Sequence, residues 1–163
     1  MTSTRAELIA ALEQTTSELT RLTTDLSDEA LDFHAGLAEW SIREILAHLV
    51  DDEMYVMRLR MERIIKEANP HLTPHDERAW YASRNTTRDQ LSELLADFGL
   101  QRAASLSMLK MLRESDWARP GYQPEYGSFT AEGWLSNWAE HDTVHLRQIE
   151  SALQAYKATT NVS

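Results

Sequence analysis

Two histidines, His141 and His145, stand four residues apart in the stretch Ala139-Glu140-His141-Asp142-Thr143-Val144-His145-Leu146-Arg147-Gln148-Ile149. On an α-helix that spacing sets both imidazoles on one face, one turn apart. A divalent cation such as Zn²⁺ or Ni²⁺ can be gripped by both rings without bending the backbone. The chain has no cysteine, so disulfides, thiolate ligands and a cysteine nucleophile are excluded. Any metal must therefore rest on His, Asp or Glu. A pair of rings is only part of a site, and the rest of the chain must supply a third ligand and a scaffold.

Trp134, Trp138, His141, His145 and Ile149 form an unbroken three-and-four spacing, with Leu135 and Leu153 beside it. Both rings are thus aimed at the interior, where a polar group needs a partner. His48 is the candidate. It lies in a helix opened by Ser41-Ile42-Arg43-Glu44, a capping box with Trp40 placed to staple onto Ile45. The apolar stripe there reads Ile42, Ile45, Leu49, Val56, Leu59, Ile64, and His48 and Asp52 interrupt it. Taken alone, His48 reads as a core histidine satisfied by Asp52. Beside His141 and His145 it completes a set of three imidazoles with open positions, the pattern of a catalytic metal site. Asp52, Glu53 and Asp142 are candidates to orient an imidazole, add a ligand or act as a base. His71 and His75 are also four apart, but Pro74 lies between them, so they read as a solvated loop. His34 reads as a solvated or capping histidine.

The elements that must position these groups are helices. Thr4-Arg5-Ala6-Glu7 is a capping box for a first helix from Thr4 to Asp25, with Leu8, Leu12, Leu19, Leu22 and Leu26 inward. Ser27 to Glu39 connects it to the second helix, which Asn69-Pro70 ends. Asn69 to Asn85 is a long connection whose Trp80 and Tyr81 fold back on the bundle. A third capping box, Thr87-Arg88-Asp89-Gln90, starts a helix to about Glu114, with Arg102 and Ser105 interrupting its inner face. Ser115 to Ser128 reads as an ordered, aromatic lid or rim. Thr130 caps the last helix, and the polar tail after Tyr156 is expected to fray. Four amphipathic helices with long connections make an all-α four-helix bundle, one domain over residues 1–163.

Composition narrows the function. The 163 residues are 42% apolar with only 5 Gly and 4 Pro, too apolar for disorder and too poor in turns for a many-stranded β fold. A net charge of −10 disfavours nucleic acid and anionic membrane surfaces. Nothing resembles a membrane span or a signal peptide, so a cytoplasmic protein acting on a small molecule is expected. A homodimer fits an acidic bundle of this size, but no stripe demands one. Di-iron Glu-x-x-His, zincin His-Glu-x-x-His and Gly-x-Ser-x-Gly patterns are all absent.

The segments Trp40 to Leu49, Asp116-Trp117, Gly127 to Thr130 and His141 to Ile149, in that order, resemble the DinB/YfiT-like superfamily of metal-binding four-helix bundles. The resemblance implies an up-down-down-up bundle and a divalent metal, usually zinc or nickel, on His48, His141 and His145. Characterised relatives include transferases and isomerases that use low-molecular-weight thiols such as bacillithiol or mycothiol. The resemblance therefore implies metal-dependent thiol S-transfer in detoxification or bacterial stress response, with an external thiol as co-substrate. Metal-dependent hydrolysis and a non-enzymatic, metal-stabilised module are the alternatives.

Overall fold

The computed structural model describes residues 3–160. Helix α1 spans Arg5–Thr23, and a short α2 spans Asp28–Leu31. The second long helix has three parts: α3 over Ile42–Asp52, a π-helical segment over Glu53–Arg58, and α4 over Leu59–Lys66. A short α5, Glu77–Ala82, precedes α6 at Leu91–Lys110. Strands β1 (Pro120–Gln123) and β2 (Gly127–Thr130) pair antiparallel before α7, Ala131–Thr160. Among the described residues, no helix is long and apolar enough to cross a membrane.

Side-chain contacts fix the helix directions. Arg5 pairs with Glu132, Thr15 with Asp142 and Arg21 with Glu150, so α1 and α7 run parallel. His48 meets His145, Glu53 meets Trp138 and Met57 meets Trp134, so the second long helix opposes α7. Arg43 bonds Asp89 and Arg58 bonds Gln101, which makes the second helix parallel to α6. The bundle is therefore up-down-down-up. Helix α1 packs on α6 and α7, and α3 packs on those same two. The first and second helices are thus diagonal, as are the third and fourth. Diagonal neighbours need long crossovers, and the connections at 24–41 and 111–130 meet that need.

Two of the three expected capping boxes form. Glu7 N donates to Thr4 Oγ1 at 3.3 Å and Glu44 N to Ser41 Oγ at 3.3 Å, each with the reciprocal bond. The box at Thr87 does not. Asp89 is taken by Arg84 at 2.9 Å, and its carbonyl accepts from Arg43, so the cap falls at Gln90, three residues later, and α6 starts at Leu91. Asp25, at φ 61°, lies beyond the end of α1 in the left-handed region. At the other terminus, residues 157–160 remain helical where fraying was expected, and 161–163 lie outside the described residues.

The π-helical segment is the main departure from an unbroken second helix. Its wider turn changes which residues face inward. Met57 (4% exposed) and Met61 (0%) fill the core, whereas Leu59, expected there, is 46% exposed. The expected loop 115–128 is a β-hairpin. Gln123 Oε1 accepts from the amides of Glu125 and Tyr126, and Gly127 at φ 74° closes the turn. Gly99 on α6 permits no unusually close approach: a Cβ there would stand in ordinary contact, 3.6 Å from Thr16 Cγ2. Gly99→Ala should therefore stabilise the protein by about 0.5–1 kcal/mol, through helix propensity alone. Denaturant titration checks this by a higher midpoint at unchanged slope.

Candidate metal centre

The second and fourth long helices bring His48, His141 and His145 together, and a ligand atom from each lies within 4.8 Å of the others. His48 Nε2 is 3.0 Å from His145 Nε2 and 3.3 Å from His141 Nε2. A tetrahedral ion held at about 2.0–2.1 Å from each nitrogen needs N···N separations of about 3.3 Å. The spacing is therefore that of three donors around one point. A single N–H cannot serve both contacts of His48 Nε2.

Neighbours set the rings. His145 Nδ1 stands 2.8 Å from Gln148 Oε1, which only accepts, so the proton sits on Nδ1 and the Nε2 lone pair is free. Trp40 packs edge-on against the His48 ring at 5.1 Å. Asp52 faces three imidazoles: Oδ1 lies 3.2 Å from His75 Nε2 and 3.5 Å from His48 Nδ1, and Oδ2 lies 3.5 Å from His141 Nε2. Asp52 Oδ1, His75 Nε2 and His141 Nδ1 are buried without a hydrogen-bond partner. Such atoms are costly to leave unpaired; Asp52 Oδ1 and His75 Nε2 lie together beside the rings, where a further charged group would fit, whereas His141 Nδ1 faces away from them toward Asp142 at 3.7 Å.

Protonation divides the rings. Burial pushes His48 down to about 3, despite the pull of Asp52. Burial, then the charge of His141, pushes His145 down to about 4. Burial acts on His141 as well, but Asp142 and Asp52 outweigh it and raise that ring to about 9. Two rings are thus neutral and ligand-ready at pH 7, while the third must release a proton to bind a cation.

The three acidic candidates part company. Asp52 sits among the rings. Glu53 and Asp142 lie deeper, both bound by Arg102. Arg102 donates to Glu53 Oε1 and Oε2 at 2.9 and 2.8 Å, and to Asp142 Oδ2 and Oδ1 at 2.6 and 3.1 Å. Trp138 Nε1 adds a bond to Glu53 at 3.0 Å and Thr15 Oγ1 one to Asp142 at 2.6 Å. With their oxygens so engaged, neither is placed to act as a base. They anchor the helices that carry the rings.

Two residues absent from the expected set reach the centre. Glu77, at the start of α5, brings Oε2 to 3.5 Å from His48 Nε2 while remaining half exposed. Its only sequence signal was its place beside Asp76, the α5 cap. His75 was read as solvated but turns inward to Asp52. The reason is that its segment is tied to the hairpin, by Leu72 N to Tyr122 O at 2.7 Å and Tyr122 N to Pro70 O at 3.0 Å. His71 stays exposed beside Tyr122. Two clefts open on the cluster. One, of about 500 Å³, lies against Trp40, Arg78 and Arg147; the other, of about 300 Å³, lies against Arg60, His75 and Tyr126. Glu77, Val144 and His145 line both.

Helix order and the histidine cluster together define an up-down-down-up bundle with a candidate metal centre between its second and fourth long helices. Residues 11–149 match the family model of the DinB superfamily, and the chain belongs to that superfamily. A relative from Oceanobacillus iheyensis is 28% identical over 89% of this chain and 83% of its own. YfiT from Bacillus subtilis is 25% identical over 86% of this chain and 79% of its own. The names of both class them, provisionally, as metal-dependent hydrolases. The solved structure of Bacillus subtilis YfiT superposes with a TM-score of 0.85 at 22% identity, covering 96% of this chain and 91% of that one. That structure is described as "a probable metal-dependent hydrolase with an unusual four-helix bundle topology", and it shares the fold.

Proposed function

We propose that this protein is a divalent-metal-dependent enzyme in which His48, His141 and His145 hold the ion through Nε2, and that it hydrolyses a small molecule. The observation that carries this reading is the convergence of three Nε2 atoms beside the carboxylate of Glu77, 3.5 Å from His48 Nε2. Three nitrogen donors suit zinc or nickel. When bound, such an ion is a Lewis acid that brings a water molecule's pKa toward neutrality. The chain's own residues supply the rest. Glu77 faces both clefts and is placed to accept a proton from a nucleophile on the open side of the rings. Gln148 and Asp52 hold the imidazoles in register. The deficit of basic residues, 16 against 26 acidic, favours a small-molecule substrate over a polyanion and suits a cytoplasmic protein, alone or as a homodimer.

One observation favours a second reading, thiol S-transfer. Two clefts meeting at one centre suit two reactants. In a chain without cysteine the thiol would be an external, low-molecular-weight one. Turnover of a panel of aryl esters by the metal-loaded protein separates the readings. Hydrolysis without added thiol is expected; strict dependence on a thiol would replace hydrolysis by transfer, and no turnover with or without one would leave a non-catalytic metal-binding module. Glu77→Gln should lower kcat by about 10²–10⁴ at unchanged metal content, the usual contribution of a general base.

A further inference from the structure

The larger cleft carries information about what enters it. Trp40, Ile45, Val144 and Ala152 give it an apolar lining, and His145 joins it to the histidine cluster. Two arginines, Arg78 and Arg147, also line it, and both are exposed. Acidic residues outnumber basic ones in this chain by 26 to 16. Yet among the described residues neither arginine has a carboxylate within 4.0 Å. Arg78 donates through Nη2 to Ala38 O at 2.7 Å, and its guanidinium lies 4.7 Å over the Trp40 ring. That stacking fixes the plane of the fork while leaving most of its N–H groups unused. The Arg147 guanidinium makes no hydrogen bond among the described residues. It stands two residues after His145 on α7, in line with Val144 and Ser151 along the cleft. The acidic residues of this cleft do not cancel the pair, because Glu77 is turned toward His48 and leaves Glu39 alone against two guanidiniums.

We infer that this cleft binds an amphipathic carboxylate. Its apolar body rests on Trp40, Ile45 and Ala152, its carboxylate is held by Arg78 and Arg147, and its other end lies at His145. Guanidinium forks match carboxylate geometry and make charge-assisted bonds. The inference rests on the metal-enzyme reading for the purpose of the cleft but not for the binding itself. A substrate held this way would present a reactive group to the histidine cluster while its acid group stays at a distance from it.

The test uses phenylacetate and its neutral counterpart phenylacetamide, followed by backbone amide shifts of the full-length protein, both metal-free and zinc-loaded. Saturable shifts along Val144–Ala152 are expected with the acid, with the amide about tenfold weaker in both forms of the protein. The Arg78→Gln/Arg147→Gln double variant should erase that preference, while zinc content and the helical circular-dichroism spectrum stay as they were. Glu39→Gln should strengthen binding of the acid. Equal affinities for acid and amide, no saturable binding of the acid, or shifts centred on Arg60 and Tyr126 would overturn the inference. A preference present only with zinc would also overturn it, because the carboxylate would then be bound by the ion. A preference that persists without metal stands even if the protein proves to bind no metal.

Discussion

Replacing Arg102 with methionine is expected to destabilise the bundle by about 3–5 kcal/mol, the cost of stripping one partner from a buried charge cluster. The residue is 1% exposed and all five of its side-chain N–H groups are used. Four reach the oxygens of Glu53 and Asp142, and one reaches the carbonyl of Leu12 at 2.8 Å. Thr15 joins through Asp142 and Trp138 through Glu53. One guanidinium therefore ties together all four long helices, at the level where the π-helical segment begins. Burial opposes its charge, but the two carboxylates raise its pKa above the ordinary arginine value. Methionine keeps much of the volume and removes all five of these bonds, leaving two buried carboxylates with no counter-charge from α6 and only the Thr15 and Trp138 bonds.

The pH dependence tells this mechanism from simple loss of packing. In the parent protein burial raises the Asp142 pKa, but Arg102, helped by His141 and Thr15, outweighs it and holds the group below the usual carboxylate range. A depressed carboxylate contributes stability above its unfolded pKa and loses it as pH falls. Without Arg102, burial is opposed only by Thr15 and His141, so the folded pKa of Asp142 rises and the variant should gain stability relative to the parent as pH falls through the mildly acidic range. Chemical denaturation at pH 7 and pH 5 reads the sign directly. Adding Glu53→Gln and Asp142→Asn to the methionine variant should recover part of the loss. A single variant with no loss, or with the parent's pH slope, would mean that the ion cluster is not what holds the helices.

How much of this was legible beforehand follows from which groups obey helical periodicity. His48, His141 and His145 could be read because each replaces an apolar residue on an inward stripe, and a stripe is a local pattern. The bundle itself followed from the same stripes and from the capping residues Thr4 and Ser41. Glu77 and His75 could not be read that way. They lie in a connection whose path depends on the pairing of Leu72 with Tyr122, some fifty residues on, and no local period encodes such a contact. The π-helical segment escaped for a related reason. Nothing in Glu53–Arg58 forbids an ordinary α-helix, and the buried bonds of Glu53 to Arg102 and Trp138 become visible only once the helices are packed. Arg102 was noted as an interruption of the inner face, but its partners on three other helices were beyond any single-helix reading.

Zinc binding at pH 7 is expected to release about one proton per ion, and removal of His145 is expected to abolish it. The proton count follows from the three rings. His48 and His145, at about 3 and 4, are already neutral, whereas His141, at about 9, gives up its proton to bind. The apparent affinity should therefore fall about tenfold per pH unit between pH 9 and pH 4, and more steeply below as the other two rings begin to titrate. Calorimetry in two buffers of different ionisation enthalpy measures the count, and a value near zero or near two would contradict this division of labour. His145→Ala removes one of three donors and should weaken binding beyond the 10–100-fold expected of Gln148→Leu, which only frees the ring. An ion present at a hundredfold excess over its Kd stabilises the folded protein by about 2.7 kcal/mol. For a chain of 163 residues that is a rise in Tm of about 5–10 °C. The rise should be absent in His145→Ala and reduced in Gln148→Leu. Full zinc occupancy of His145→Ala would place the ion elsewhere, and Asp52 with its unpartnered neighbour His75 would be the place to look.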